Sequence, residues 1–279
     1  MDDERVVEEI VTKFLLSTYR LHPQLSWPAI QAAVHCATTA AERSTDDTET
    51  HNIPLITGSV AEFYIEPMLP HVGDIDVMLH LSTELAIPRG QSPPTQLPDE
   101  FSNYVLLYDI IDSHLLGYVY LESRYLLTEC SDSSMYNAVE YDRGYYLLHS
   151  QYTDDPHQLR NCWPMKPQFR GPAITVVPPG TQLSLDAVYC VRCLLWPPQA
   201  ADWPTRRRNY SWPDSATVDR VVNNGCDVVG AAHRQCRQDE WMRQPQCRLS
   251  FSRAEIVLIS SWMPVQQIVY HNVTSFHEG

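Results

Sequence analysis

The amino-acid sequence predicts an α+β fold in which a mixed β-sheet is flanked by helices. Three observations carry that prediction. Residues 74–81, DIDVMLHL, alternate strictly: Asp74, Asp76, Met78 and His80 fall on one face and Ile75, Val77, Leu79 and Leu81 on the other, the period-two mark of a strand. Short apolar runs of strand character recur between residues 104 and 195. Helical spacing is confined to the two ends and one stretch near residue 220. With 279 residues, 44% hydrophobic and 19% charged, the chain is globular and long enough to bury a substantial core.

Taken in order, residues 2–20 place Val6, Val7, Ile10, Phe14 and Leu15 at helical spacing, with acids in the first turn. A second helix starts near Pro28, which suits a first helical position, and carries Ile30, Ala33, Val34 and Ala37. The polar residues 44–52 read as a link to the stretch beginning at Thr57. A Pro-rich loop is expected over residues 87–98. Residues 104–108 and 115–121 read as strands joined by a turn at Asp112-Ser113, residues 145–148 as a further strand, and residues 152–172 as a loop. Strand character resumes at residues 174–177 and again at 181–195. The Pro- and Trp-dense residues 196–215 are expected to cap or cross the sheet, residues 215–224 to form a helix, and residues 246–271, which open with CRLSFS, to carry a helix with Ser252 near its start and an interruption at Pro264.

The chemistry gathers on few residues. Asp74 and Asp76 project from one face of a strand, roughly 6.5–7 Å apart along the chain. Carboxylates that close repel unless a cation lies between them, and Mg²⁺, which takes hard oxygen ligands and keeps room for phosphates, is the natural one. Fifteen residues before Asp74, Gly58-Ser59 precedes a helix-compatible run. Glycine lets a phosphate approach the backbone, and a helix start offers N–H groups. In the segment 181–195, Asp186 is a lone carboxylate on an otherwise apolar strand, costly unless partnered. It is the candidate third acid; the bland alternative is a surface acid on an edge strand. Together these parts make a two-metal nucleotidyl-transfer site. His80, on the acidic face, reads as a satisfied polar contact or a group behind the site. Cys190 and Cys193 point to opposite faces of a strand and read as core packing, so zinc is not expected.

The charge balance limits the partners. The net charge is −14, which disfavours gripping a phosphate backbone. The tight basic run Arg206-Arg207-Arg208 reads as a solvated loop. The first residues, MDDERVVEEI, have neither a basic nor an apolar signal region, and no apolar run reaches about 18 residues. The expectation is a cytoplasmic protein with reduced thiols and no membrane contact.

These residues resemble the male abnormal twenty-one (Mab) family of nucleotidyltransferase-fold proteins, which includes cyclic GMP–AMP synthase and the cGAS-like receptors. Thr57-Gly58-Ser59 is similar to the family's TGS and Asp74-Ile75-Asp76-Val77-Met78 to its acidic strand. Leu185-Asp186 sits where the family places its third acid, ahead of Leu195-Trp196-Pro197, and Arg248-Leu249-Ser250-Phe251-Ser252 matches its RLSFS motif, with Glu255 beyond. The resemblance implies a nucleotidyltransferase fold. It implies Asp74, Asp76 and Asp186 as catalytic ligands of Mg²⁺ or Mn²⁺, and Thr57, Gly58, Ser59, Arg248, Ser250 and Glu255 as nucleotide contacts. The substrates it implies are nucleoside triphosphates, joined into a cyclic dinucleotide, and it permits a double-stranded nucleic acid as activator. On this reading residues 1–50 are N-terminal helices, 51–245 the catalytic core, and 246–279 the start of a truncated C-terminal helical lobe. The short lobe favours the alternative, a catalytically inactive binding or regulatory relative.

Overall fold

A computed structural model of the chain describes residues 34, 50–62, 74–142, 144, 168–170, 172–176, 184–208, 212–231, 246–262 and 266. The expected N-terminal helices and the strand at 145–148 lie outside these residues, except that Val34 is helical and buried. The described elements run β1 (Asn52–Thr57), α1 (Gly58–Glu62), β2 (Asp74–Pro88), β3 (Tyr104–Asp112), β4 (Tyr118–Glu129), β5 (Tyr136–Glu140), β6 (Gln168–Arg170), β7 (Ala173–Val176), β8 (Ser184–Cys193), α2 (Ser215–Asn223), β9 (Cys226–Gly230), β10 (Cys247–Ser250) and α3 (Ser252–Ser260). The fold is α+β with a mixed sheet, as expected. None of the described helices is long and apolar enough to cross a membrane.

The ten strands form one sheet in the order β1-β2-β3-β4-β10-β9-β8-β7-β6, with β5 paired to β4. The long β2 also pairs β8, so the pairings return to it: β2 runs parallel to β3 at Glu84–Pro88 and parallel to β8 from Asp74 onward. A bulge between His80 and Leu85 lets one strand serve both neighbours. A core cluster inside this circuit takes residues from all six of its strands: Ala86, Tyr108, Ile110, Val119, Leu121, Val191, Cys193, Cys226, Val228, Cys247 and Leu249. Burying each large aliphatic side chain is worth about 1.5–3 kcal/mol, so this core fixes the strands whose other face carries the acids.

The described cysteines Cys130, Cys190, Cys193, Cys226 and Cys247 are thiols. Cys190 and Cys193 belong to different core clusters on opposite faces of β8, as strand geometry requires.

Several expectations are corrected. Residues 115–117 are a turn, with Ser113 N–H bonded to the Tyr118 carbonyl and Leu116 fully exposed; β4 starts at Tyr118. Residues 168–170, read as loop, are β6. The C-terminal helix starts at Ser252, as expected, and Cys247–Ser250 just before it, given no element in the sequence reading, is a strand between β4 and β9. Its four residues, with Cys247 and Leu249 buried and Arg248 exposed, are too few for a period to declare itself.

Two helices hold the β9–β10 side. Asp214 caps α2, its carboxylate accepting from Thr217 N–H at 2.7 Å, and hydrogen bonding from the Thr217 side chain first and its N–H second holds the Asp214 pKa below the usual carboxylate range. Between α2 and β9, Gly225 has φ +62°, and a Cβ there would lie 2.2 Å from the Cys193 carbonyl oxygen. The buried Arg192 guanidinium closes the same corner by donating to the carbonyls of Cys193, Cys226 and Asn224. The Trp-rich loop caps the sheet as expected: Trp196 lies 5.2 Å from Phe251 and 5.5 Å from Trp203. Arg208 stacks over Trp203 at 4.8 Å and Arg206 pairs with Asp202, so two of the three tandem arginines serve the loop itself.

Candidate functional site

The register of β1, β2, β8 and β7 builds the site. Thr57 opposes Asp76, Asp76 is in register with Asp186, and Asp186 opposes Thr175. Register partners on neighbouring strands share a face about 4.8 Å apart. Asp186 therefore stands nearer to Asp76 than Asp74 does. Asp74 opens β2 in register with Ser184. The side chains of Asp74 and Ser59 lie outside the described residues. The edge-strand alternative for Asp186 is wrong: β8 is paired on both sides, to β2 and to β7 and β9.

Gly58 makes the position of Asp76 possible. It has φ +64°, and a Cβ built on it would lie 2.1 Å from Asp76 Oδ2. The carboxylate occupies the space a side chain would need, so glycine serves both the turn and the acid. The helix expected behind Gly58-Ser59 starts at Gly58, as α1.

These residues form one wall of a cleft of about 240 Å³ lined by Thr57, Gly58, Asp76, Val77, Met78, Pro172, Val188, Val229, Arg248, Ser250, Ser252 and Glu255. Six of the nine residues singled out in the sequence thus line one cleft, and Asp186 lies beside it in register with Asp76. The floor is apolar, with Met78, Val229 and Cys190 buried together. Ser250 Oγ donates to Met78 Sδ at 3.8 Å and lies 3.2 Å from Ser252 Oγ. Arg248 and Glu255 are exposed and line the same cleft, from β10 and the first turn of α3.

The donor set suits a hard divalent cation. Asp186 Oδ1 is buried and, among the described residues, has no hydrogen-bond partner. A buried carboxylate oxygen left that way is costly, and a cation held jointly with Asp76 would satisfy it. The described residues contain no group of three or more metal-ligating side chains, a count that lacks the Asp74 side chain.

Behind the acids lies a buried polar layer that the sequence did not reveal. Asp227 on β9 is fully buried and accepts from Arg253 Nε of α3 at 2.9 Å. This ion pair ties the helix carrying Glu255 to the sheet. His80 is not the satisfied contact expected: it is 1% exposed and, among the described residues, neither ring nitrogen has a hydrogen-bond partner. Glu100 Oε1 is 3.8 Å from Nε2, beyond hydrogen-bond reach. Burial first, then the charges of Arg253, Arg192 and His51, pull its pKa down to about 3.

His80 is thus neutral when folded and titrates at its ordinary value when unfolded. Stability from this group is complete above about pH 6.5 and declines as pH falls toward 3. The expected slope is about 1.4 kcal/mol per pH unit. Urea denaturation at pH 6.5 and 5 measures it; His80→Gln should flatten the dependence, and equal slopes would count against the account.

Comparison with protein families matches residues 120–261 to the Mab-21 protein nucleotidyltransferase domain. The matched span begins within β4 and contains Asp186, Arg248, Ser250 and Glu255; Thr57–Ser59 and Asp74–Asp76 precede it. The match covers just over half of the chain, which therefore belongs to the Mab-21 family and carries its nucleotidyltransferase domain.

Proposed function

We propose that the protein is a Mg²⁺- or Mn²⁺-dependent nucleotidyltransferase of the cGAS-like type, joining nucleoside triphosphates into a cyclic dinucleotide. The observation that carries this reading is the register of Asp76 with Asp186 beside a cleft that Arg248, Ser250 and Glu255 also line. Asp74, Asp76 and Asp186 hold the cation, which when bound lowers the pKa of an attacking hydroxyl and offsets charge on the departing pyrophosphate. Thr57, Gly58 and Ser59 receive the phosphates. Arg248, Ser250 and Glu255 contact the nucleotides in the same cleft. The attacking group is a ribose hydroxyl of the second nucleotide.

The described walls enclose about 240 Å³, less than the roughly 300–1,000 Å³ of most ligand pockets. That space suits the phosphate-bearing end of a nucleotide.

The test is incubation of purified protein with labelled nucleoside triphosphates, Mg²⁺ or Mn²⁺, and double-stranded RNA or DNA in separate arms. A cyclic product that is lost in Asp76→Ala and in Asp186→Ala is expected. Absence of product in every arm, with no nucleotide binding, would overturn the proposal in favour of a non-catalytic relative.

A further inference from the structure

We propose that Thr175 is a positioning residue for the Asp186 carboxylate in the cation site; this rests on the function proposed above. Thr175 lies on β7 directly opposite Asp186 on β8. Opposed residues of an antiparallel pair share a face, with Cβ atoms about 4.5–5.5 Å apart. Thr175 is 5% exposed, and its Oγ1 is buried with no hydrogen-bond partner among the described residues. Asp186 Oδ1 is in the same condition.

Two buried polar atoms without partners, on one face and side by side, carry a desolvation cost that packing alone would not retain. A threonine hydroxyl is a donor and an ionised carboxylate is an acceptor with several lone pairs. These two atoms do not bond each other in this structure. Asp76 and Asp186 would hold the cation together, and its charge would draw on the Asp186 carboxylate. A turn of the Thr175 side chain then brings its hydroxyl to that carboxylate. The hydroxyl thereby holds Asp186 in the orientation the cation needs, the role outer groups play around metal ligands.

This assignment separates from a packing role by sign. Valine keeps the shape of threonine and removes an unpartnered buried hydroxyl. The metal-free Thr175→Val protein should therefore melt at the same temperature as wild type or higher. Its affinity for Mn²⁺ should nonetheless fall by about 10-fold or more. Thr175→Ser, which keeps the donor, should bind Mn²⁺ nearly as wild type does.

Calorimetric titration of the full metal-free chain with Mn²⁺ alone, beside thermal melts of the same samples, reads both quantities. Wild-type affinity in Thr175→Val would overturn the proposal. So would equal losses in Thr175→Ser and Thr175→Val accompanied by lower melting temperatures, which would mark a packing role. Should wild type itself take up no Mn²⁺, the cation site fails and the proposed function fails with it. Mn²⁺ uptake that Asp186→Asn abolishes and Thr175→Val leaves intact would sink the Thr175 role alone.

Discussion

Gly58→Ala is expected to cost about 10³-fold in turnover while leaving the protein folded. The added methyl would lie 2.1 Å from Asp76 Oδ2, and φ +64° is a backbone region that residues with a Cβ rarely adopt. One of them must move, and Asp76, at the end of its side chain, moves more easily than the backbone. Charge stabilisation by a correctly held metal ion is worth several kcal/mol, and each 1.4 kcal/mol is tenfold in rate. Displacing the carboxylate forfeits most of that. The strain at Gly58 adds about 1 kcal/mol of destabilisation, a minor part of total stability. The check is the rate of nucleotide incorporation beside a urea melt. Near-normal turnover in Gly58→Ala would show that Asp76 does not need its place over the Gly58 backbone.

The largest stability effect is expected at Asp227. Asp227→Ala should destabilise the fold by about 3 kcal/mol, because it leaves Arg253 without its buried counter-ion. Arg253 is 16% exposed and would recover only part of its hydration. Arg192, on the register partner strand, and Arg253 would then face each other without the intervening carboxylate. The double variant Asp227→Ala/Arg253→Ala should lose less than the sum of the single losses, since the unpaired charge is gone. Equilibrium urea denaturation of the four proteins measures the coupling. Additive losses would mean that the two side chains contribute separately.

This pair bears on function through α3. Its helix starts at Ser252, directly after β10, with no side-chain cap on Phe251. Arg253 in its first turn is tied to Asp227 on β9, while Glu255 in the same turn faces the cleft. The helix start is thus fixed by a buried ion pair and by Phe251 against Trp196. That is how a short motif, RLSFS, comes to present side chains to the cleft: β10 holds Arg248 and Ser250, and α3 holds Ser252 and Glu255.

Parts of this fold were legible in the sequence because they carry a period. β2 alternates acids and apolar residues, and β8 alternates with Asp186 as the exception, so both strands and their faces could be read. The elements that escaped have physical reasons. β1 contains Pro54 and adjoins a polar run; among the described residues it pairs β2 alone, and proline is tolerated at such an edge. β9, CDVVG, is buried at all five positions, so it shows no alternation. β5 is exposed at four of its five residues and has little apolar character to betray it.

The candidate site was read by type of residue and completed by register. Asp76 and Asp186 were singled out separately, and only the parallel pairing of β2 with β8 puts them side by side. Thr175 and Asp227 gave no signal. A threonine within AITV is ordinary strand composition, and an aspartate at the start of CDVVG reads as a turn residue. Each acquires meaning only when its neighbour across the strand is known: Asp186 for Thr175, Arg192 and Ser250 for Asp227. His80 was read on the correct face, but burial without a partner is a tertiary property that spacing cannot supply.

The central claim is that Asp76 and Asp186 share a divalent cation at the nucleotide cleft. Anomalous diffraction from crystals grown with Mn²⁺ and a non-hydrolysable nucleoside triphosphate tests it most directly. The account predicts an anomalous peak between the two carboxylates, with the triphosphate running toward Thr57 and Gly58. A bound nucleotide with no peak between Asp76 and Asp186, or a Mn²⁺ peak elsewhere, would contradict it.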